Sequence, residues 1–189
     1  MDVPPQPPAP AAPPPSVLTT MRAQRWFTGD PVREEELRQV LEAGRWTGSA
    51  RNRQPWRFVV VRSGAVRRQL AGLGAYAGHL ATAPLVIALA VHQSGGEDAQ
   101  FDAGRAAQNM MLAAHLQGLS SCPASFFPSE NVDKAGEVCG VESPWSVRTA
   151  LSLGHAAPTP RGKSAIPTGR LPLSELVIEI PEAEEPSHA

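Results

Sequence analysis

Cysteine is almost missing from this 189-residue chain, where Cys122 and Cys139 are the only two. With no Cys-x-x-Cys pair and no Cys/His cluster, neither a disulfide framework nor a zinc site organises the fold. The two thiols read as buried residues of a reducing compartment. Aromatics are scarce as well, with five Phe, four Trp and one Tyr, so Ala, Leu and Val must build most of the core. Neither sign of charge dominates: the net charge is −1 and the isoelectric point near 6.5. A dedicated nucleic-acid surface would be basic, and no basic stripe interleaved with aromatics occurs. The longest apolar run, Pro84 to Val91, is far too short to span a bilayer. The chain does not open on a basic region followed by an apolar one, as a secretory signal does. No Gly-x-Ser-x-Gly is present, which disfavours a hydrolase of that type. These absences predict a soluble cytoplasmic protein with no nucleic-acid or membrane partner.

Proline, by contrast, is abundant, and eight of the twenty lie within residues 1–16. Such an arm forms neither helix nor ladder and is expected as disordered or polyproline II chain. Residues 17–180 form the expected domain, and 181–189 an acidic, flexible tail. Asp30-Pro31 is placed to open a helix, with Leu37, Val40, Leu41 and Gly44 on its buried face. Strands are expected at Arg57–Arg62, Pro84–His92, Leu119–Pro123, Ser146–Gly154 and Leu176–Ile180, the second covered on both faces. Helices are expected over Val66–Leu73, over the alanine-rich Phe101–Leu119 with Gly118 as its stop, and over Asn131–Cys139 with Ser129 as its cap. This alternation predicts an α+β or α/β domain, a small sheet with helices on its faces. Gly72, Gly74 and Gly78 follow no strand directly and have the wrong spacing for a dinucleotide loop. His79, His92, His115 and His155 are scattered over different elements and are expected as surface or capping residues. Gln108 and Asn109 are expected to be satisfied by backbone.

Two stretches carry candidate chemistry. Thr47 to Trp56 reads Thr-Gly-Ser-Ala-Arg-Asn-Arg-Gln-Pro-Trp, a loop between a helix and a strand. Its carboxamides, Asn52 and Gln54, offer donors and acceptors that suit a planar heterocycle. A plain connector, with Trp56 filling the core, explains the composition equally well. Arg22 and Arg25, three residues apart, share a face if they lie on one helical turn, and paired guanidiniums attract a phosphate. Solvated surface arginines are the alternative.

Together the pieces resemble the nitroreductase-like flavin oxidoreductases over roughly residues 20–178. The matching runs are Arg22-x-x-Arg25 before a Pro-Val helix, Ser49-x-x-Asn52-x-Gln54-Pro55-Trp56 before a strand, and Asp102-Ala-Gly-x-Ala-Ala-Gln-Asn. Leu153-Gly154 and Gly169-Arg170-Leu-Pro-Leu follow in order. The resemblance implies a three-layer sandwich with a small mixed sheet, intertwined as a homodimer with flavin mononucleotide (FMN) at the interface. It places Arg22, Ala23, Arg25, Gly169 and Arg170 around the flavin phosphate. Ser49, Ala50, Arg51, Asn52 and Gln54 would lie along the ring, contributed from the partner subunit, and Pro123 and Ser125 would face flavin N5. It gives Leu176–Ile180 to the partner's sheet. Met21 and Ala23 depart from the family's usual Arg-Arg-Ser-x-Arg start.

The activity implied is reduction of bound FMN by NADPH or NADH, followed by reduction of an electron-poor acceptor such as a nitroaromatic, quinone or enone. The cofactor supplies that chemistry, so no catalytic acid or base is assigned. Two alternatives remain: a flavin- or deazaflavin-binding module with little turnover, and a specialised branch performing dehalogenation or flavin fragmentation.

Overall fold

The computed structural model of the protein describes residues 16–160 and 169–180. The expected proline arm, apart from Ser16, and the expected acidic tail lie outside the described residues. The chain divides between Thr159 and Pro160 into two compact units.

In the first unit the helices are α1 (Ser16–Thr20), α2 (Glu34–Arg45), α3 (Gly64–Ala71), α4 (Gly96–Leu116) and α5 (Ser129–Val138). The strands are β1 (Trp56–Val61), β2 (Leu85–His92), β3 (Ser120–Ser125) and β4 (Trp145–Gly154). They form one sheet in the order β1-β2-β4-β3. Each pairing is antiparallel, running from Trp56↔Val91 to Val61↔Val86, from Leu85↔Leu153 to His92↔Trp145, and from Ser120↔Gly154 to Ser125↔Thr149. The sheet expected as mixed is therefore antiparallel among the described residues. A parallel pair needs a crossover to the opposite end of the sheet, whereas α3 and α5 each return the chain to the end it left.

β2 is the axis of the molecule. Leu85, Ile87 and Leu89 point into one core with Leu37, Val40, Met110 and Ala114, from α2 and α4. Val86, Ala88 and Ala90 point into a second core with Leu70, Leu80, Phe126 and Ala135, on the side of α3 and α5. Alternate side chains of one strand thus serve opposite faces, which explains its unbroken apolar run. Helices on both faces of one sheet give the three layers.

Several boundaries differ from the sequence reading. Residues 21–27 are not helical; Gln24 N–H donates to Ser121 O of β3, and Phe27 bridges Ala156. Helix α2 begins at Glu34 rather than near Pro31. Glu36 decides this: its carboxylate accepts from Arg33 N–H at 2.8 Å and from the Arg33 guanidinium at 2.7 Å, closing a capping box three residues further on. Asp30 instead accepts from the Thr28 hydroxyl. Helix α4 begins at Gly96, where Glu97 and Asp98 complement the dipole of the first turn. Gly118 adopts φ 77°, the left-handed stop expected of it. Ser129 is the first residue of α5, not its cap.

In the second unit, Leu173–Glu175 forms a single 3-10 turn, with Leu176 and Val177 N–H donating to Leu173 O. The run Leu176–Ile180 forms no strand in this chain. A lone strand has no partner for its backbone donors, so pairing must come from elsewhere if it is to form.

Candidate functional site

The loop between α2 and β1 is held in a costly conformation. Arg51 (φ 53°), Asn52 (φ 53°) and Gln54 (φ 48°) all occupy the left-handed region, where non-glycine residues are uncommon. Each such residue costs of order 1–3 kcal/mol and persists only where its surroundings enforce it. Here α4 does the enforcing. Asp102, on the otherwise apolar buried face of α4, accepts from Ala50 N–H at 2.8 Å and from the Arg105 guanidinium at 3.2 Å. Arg105 donates in turn to Gly48 O at 3.0 Å, and Asn109 donates to the Thr47 hydroxyl at 2.8 Å. Asn109 is thus satisfied by a side chain, not by backbone as expected.

Within the loop, Asn52 N–H donates to Ser49 O, Arg53 N–H to Ala50 O, and Gln54 N–H to Ser49 Oγ. Its main-chain donors at 50, 52, 53 and 54 are therefore committed. What faces outward is side chain: the guanidinium of Arg51 and the carboxamide of Asn52, both exposed. Replacing Asp102 with alanine strands the Ala50 N–H and should cost about 1–3 kcal/mol. Denaturant melts check this, and amide exchange at Ala50 should quicken; Asp102→Asn, which keeps an acceptor, should cost less.

Three further predicted residues, Pro123, Ser125 and Arg25, lie at the opposite edge of the sheet. Pro123 and Ser125 lie two apart on β3, both exposed and on an edge strand, where a proline costs no ladder bond. Ser121 O, on the outer side of β3, is taken by Gln24 N–H. By the two-residue alternation of a strand, Pro123 and Ser125 turn their main-chain groups to that same outer side. A Cβ on Gly74 would stand 2.5 Å from Ser125 O, so this turn requires glycine. Arg25 runs alongside, its charge bearing on both Cys122 and His79. Arg22 does not join it: its guanidinium donates to Thr19 O at 2.6 Å and Met21 O at 2.8 Å, at the end of α1. Ala23 is exposed in the same extended segment, while Gly169 and Arg170 belong to the second unit.

His79 is the feature the sequence reading placed wrongly. It is buried, 7% exposed, with Nδ1 2.8 Å from Ser152 Oγ. Ser152 donates its one proton to Cys122 O at 3.2 Å, so its oxygen accepts from His79 Nδ1–H. His79 Nε2 is then a bare acceptor, without a partner among the described residues. Desolvation first, and the Arg25 charge second, lower the His79 pKa to about 4. Burial likewise pushes the Cys139 thiol up to about 11, so it is an inert thiol.

The loop and the Arg25–Ser125 edge are separated by the width of the sheet, three strand spacings or about 14 Å. One chain does not bring them together. No cluster of His, Cys, Asp and Glu that could hold a metal occurs among the described residues. No helix among them is long and apolar enough to cross a membrane.

Comparison with known proteins identifies relatives of this chain. The model of the nitroreductase family matches residues 18–75 and 72–155. An NADH dehydrogenase of Thermus thermophilus is 29% identical over 194 residues, covering 83% of this chain and 91% of that protein. A protein of Desulfovibrio desulfuricans assigned as a nitroreductase, solved in complex with FMN, is 28% identical with a TM-score of 0.71; the match covers 89% of this chain and 96% of that one. An FMN-dependent nitroreductase of Clostridium difficile shares the fold at a TM-score of 0.71 and 24% identity, over 79% and 91% of the two chains.

Proposed function

The chain belongs to the nitroreductase family, and from that premise we propose that it is a homodimeric FMN oxidoreductase driven by NADH or NADPH. The observation that carries this reading is the division of the candidate site between two edges of one sheet. A loop strained by three left-handed residues offers ring-binding side chains at one edge, and the β3 flank lies at the other beside Arg25, which joins no ion pair among the described residues. Two copies can complete what one cannot.

The residues present fit FMN. Arg25 takes part in none of the ion pairs among the described residues, so its charge is available to a phosphate. Arg170 is its proposed counterpart from the second unit. Asn52 and Arg51 supply donors for the polar edge of the ring, and Arg51 supplies positive charge for its reduced, anionic form. Ser49, Ala50 and Gln54 hold the loop in shape. Pro123 and Ser125 present main chain rather than side chain to the reacting face. The cofactor itself supplies two-electron transfer from nicotinamide to an electron-poor acceptor, a nitroaromatic, quinone or enone. An exposed apolar set, Trp46 just after α2 with Phe101 and Leu116 of α4, is the proposed contact with the second copy.

One observation favours a second reading, a flavin-binding module with little turnover: Met21 and Ala23 offer no phosphate donor side chains, and Arg22 is spent on α1. Retention of flavin tests the first reading. Arg25→Gln and Arg170→Ala should each weaken FMN binding at least tenfold, about 1.4 kcal/mol, with unchanged melting of the apoprotein. Undiminished retention in both variants removes the phosphate assignment.

A further inference from the structure

A cleft of about 340 Å³ opens at the end of the sheet where β1 and β4 begin and β2 ends, lined by Arg53, Gln54, Arg57, His92, Ser94 and Trp145. Apart from Gln54, none of these residues is assigned to the cofactor above. The chemistry of the cleft is one-sided. The Arg57 guanidinium stands 4.6 Å from the centre of the Trp145 ring, and its Nη1 donates to Trp56 O at 3.0 Å. That side chain is therefore held against an aromatic wall. His92 meets the same indole edge-on, with ring centres 4.9 Å apart. Its Nδ1 accepts from Ser94 N–H at 3.3 Å and lies 2.7 Å from Ser94 Oγ. Because a backbone N–H can only donate, Nδ1 is the unprotonated nitrogen and Nε2 carries hydrogen.

Two arginines and a histidine thus line one cleft. No carboxylate lines it. The ion pairs among the described residues engage Arg33, Arg38, Arg45, Arg62 and Arg105, leaving Arg53 and Arg57 out. Glu142 lines the adjoining cleft that shares Arg57 and Trp145, and it pairs with neither arginine. Arg53 and Gln54 also continue the strained loop that α4 fastens at Thr47, Gly48 and Ala50.

We propose that this cleft binds the phosphate or pyrophosphate group of a small molecule. A monocarboxylate would satisfy one guanidinium bidentately and leave the second idle. A phosphate group has charge and acceptors for both arginines and for His92. Nothing in this assignment requires bound flavin.

The test is a titration of the full-length protein with sodium pyrophosphate, following the His92 imidazole resonances by NMR at low ionic strength. The shift should saturate, and high salt should weaken it, as screening of exposed charges demands. Arg57→Gln should weaken binding about tenfold, a loss of about 1.4 kcal/mol, and Arg53→Gln by a similar factor. Glu142→Gln, which removes a carboxylate of the adjoining cleft that shares Arg57 and Trp145, should tighten it. A shift that never saturates, or saturable binding that survives both arginine substitutions in a folded protein, overturns the proposal.

Adding NADPH, NADH or FMN at saturating pyrophosphate then separates the sources. Displacement by a dinucleotide assigns the group to the electron donor, and displacement by FMN assigns it to the flavin phosphate. Saturable binding that none of them displaces assigns it to a phosphorylated acceptor. The pyrophosphate titration itself needs neither bound flavin nor turnover, so its failure leaves the oxidoreductase reading standing, and a colourless protein would leave the cleft standing.

Discussion

Truncating Phe126 to alanine lowers stability by about 3–5 kcal/mol. Phe126 is the largest of the fully buried side chains, lying in the core between the sheet and α3 and α5 with Leu70, Leu80, Ala135 and Val147. Alanines make up much of that core, so few neighbours carry side chains long enough to collapse into the space left behind. Transfer and cavity terms therefore add. The position also matters for the site. Phe126 follows Ser125 directly, and its N–H donates to Arg148 O at 2.8 Å, anchoring the end of β3. Phe126→Leu should cost markedly less than the alanine variant in denaturant melts. A loss below about 1 kcal/mol for alanine would mean that the β3 end is not fastened by this ring.

The second large effect depends on pH. His79 is neutral in the fold, with a pKa lowered to about 4, while in the unfolded chain it titrates near the ordinary 6.5. As pH falls below 6.5 the unfolded chain takes up a proton that the fold refuses. Stability is therefore full above 6.5, declines through the interval down to about 4, and loses nothing more to this group below that. A difference of this size corresponds to about 3 kcal/mol over the interval. The structural cause is that protonation puts a hydrogen on Nε2, a buried site with no acceptor among the described residues. Glu36, held below the usual carboxylate range by Arg33, adds its own loss only at more acid pH. His79→Gln should flatten the stability curve between pH 6.5 and 4.5, measured by denaturant melts at each pH. An unchanged slope in that variant would show that His79 is not the group responsible.

Much of the fold was written plainly in the sequence. The double-sided burial of β2 follows from an apolar run that alternation cannot explain, and Gly118 marks the end of α4 because only glycine readily takes that conformation. The start of α2 was misread because Asp30-Pro31 is a strong local signal. The winning cap, Arg33 with Glu36, uses a residue type that rarely plays this role. Arg22 and Arg25 would share a face only on a helical turn, and spacing alone cannot reveal that their segment instead bonds through Gln24 to β3, far along the chain. The loop at 47–56 stood out from its residue types as a candidate, with a plain connector as the alternative. Its strain, and its fastening by Asp102, Arg105 and Asn109, were not legible, because those contacts cross more than fifty residues. An acid on the buried face of an alanine-rich helix was the available signal. His79 carried none, since nothing local distinguishes a buried imidazole from an exposed one.

The visible spectrum of the purified protein, supplemented with FMN and followed anaerobically on addition of NADH and then NADPH, tests the central claim most directly. The account predicts a bound-flavin spectrum that bleaches with at least one donor and recovers when a quinone or nitroaromatic is added. A protein that takes up no FMN, or holds it oxidised in the presence of both donors, would contradict it.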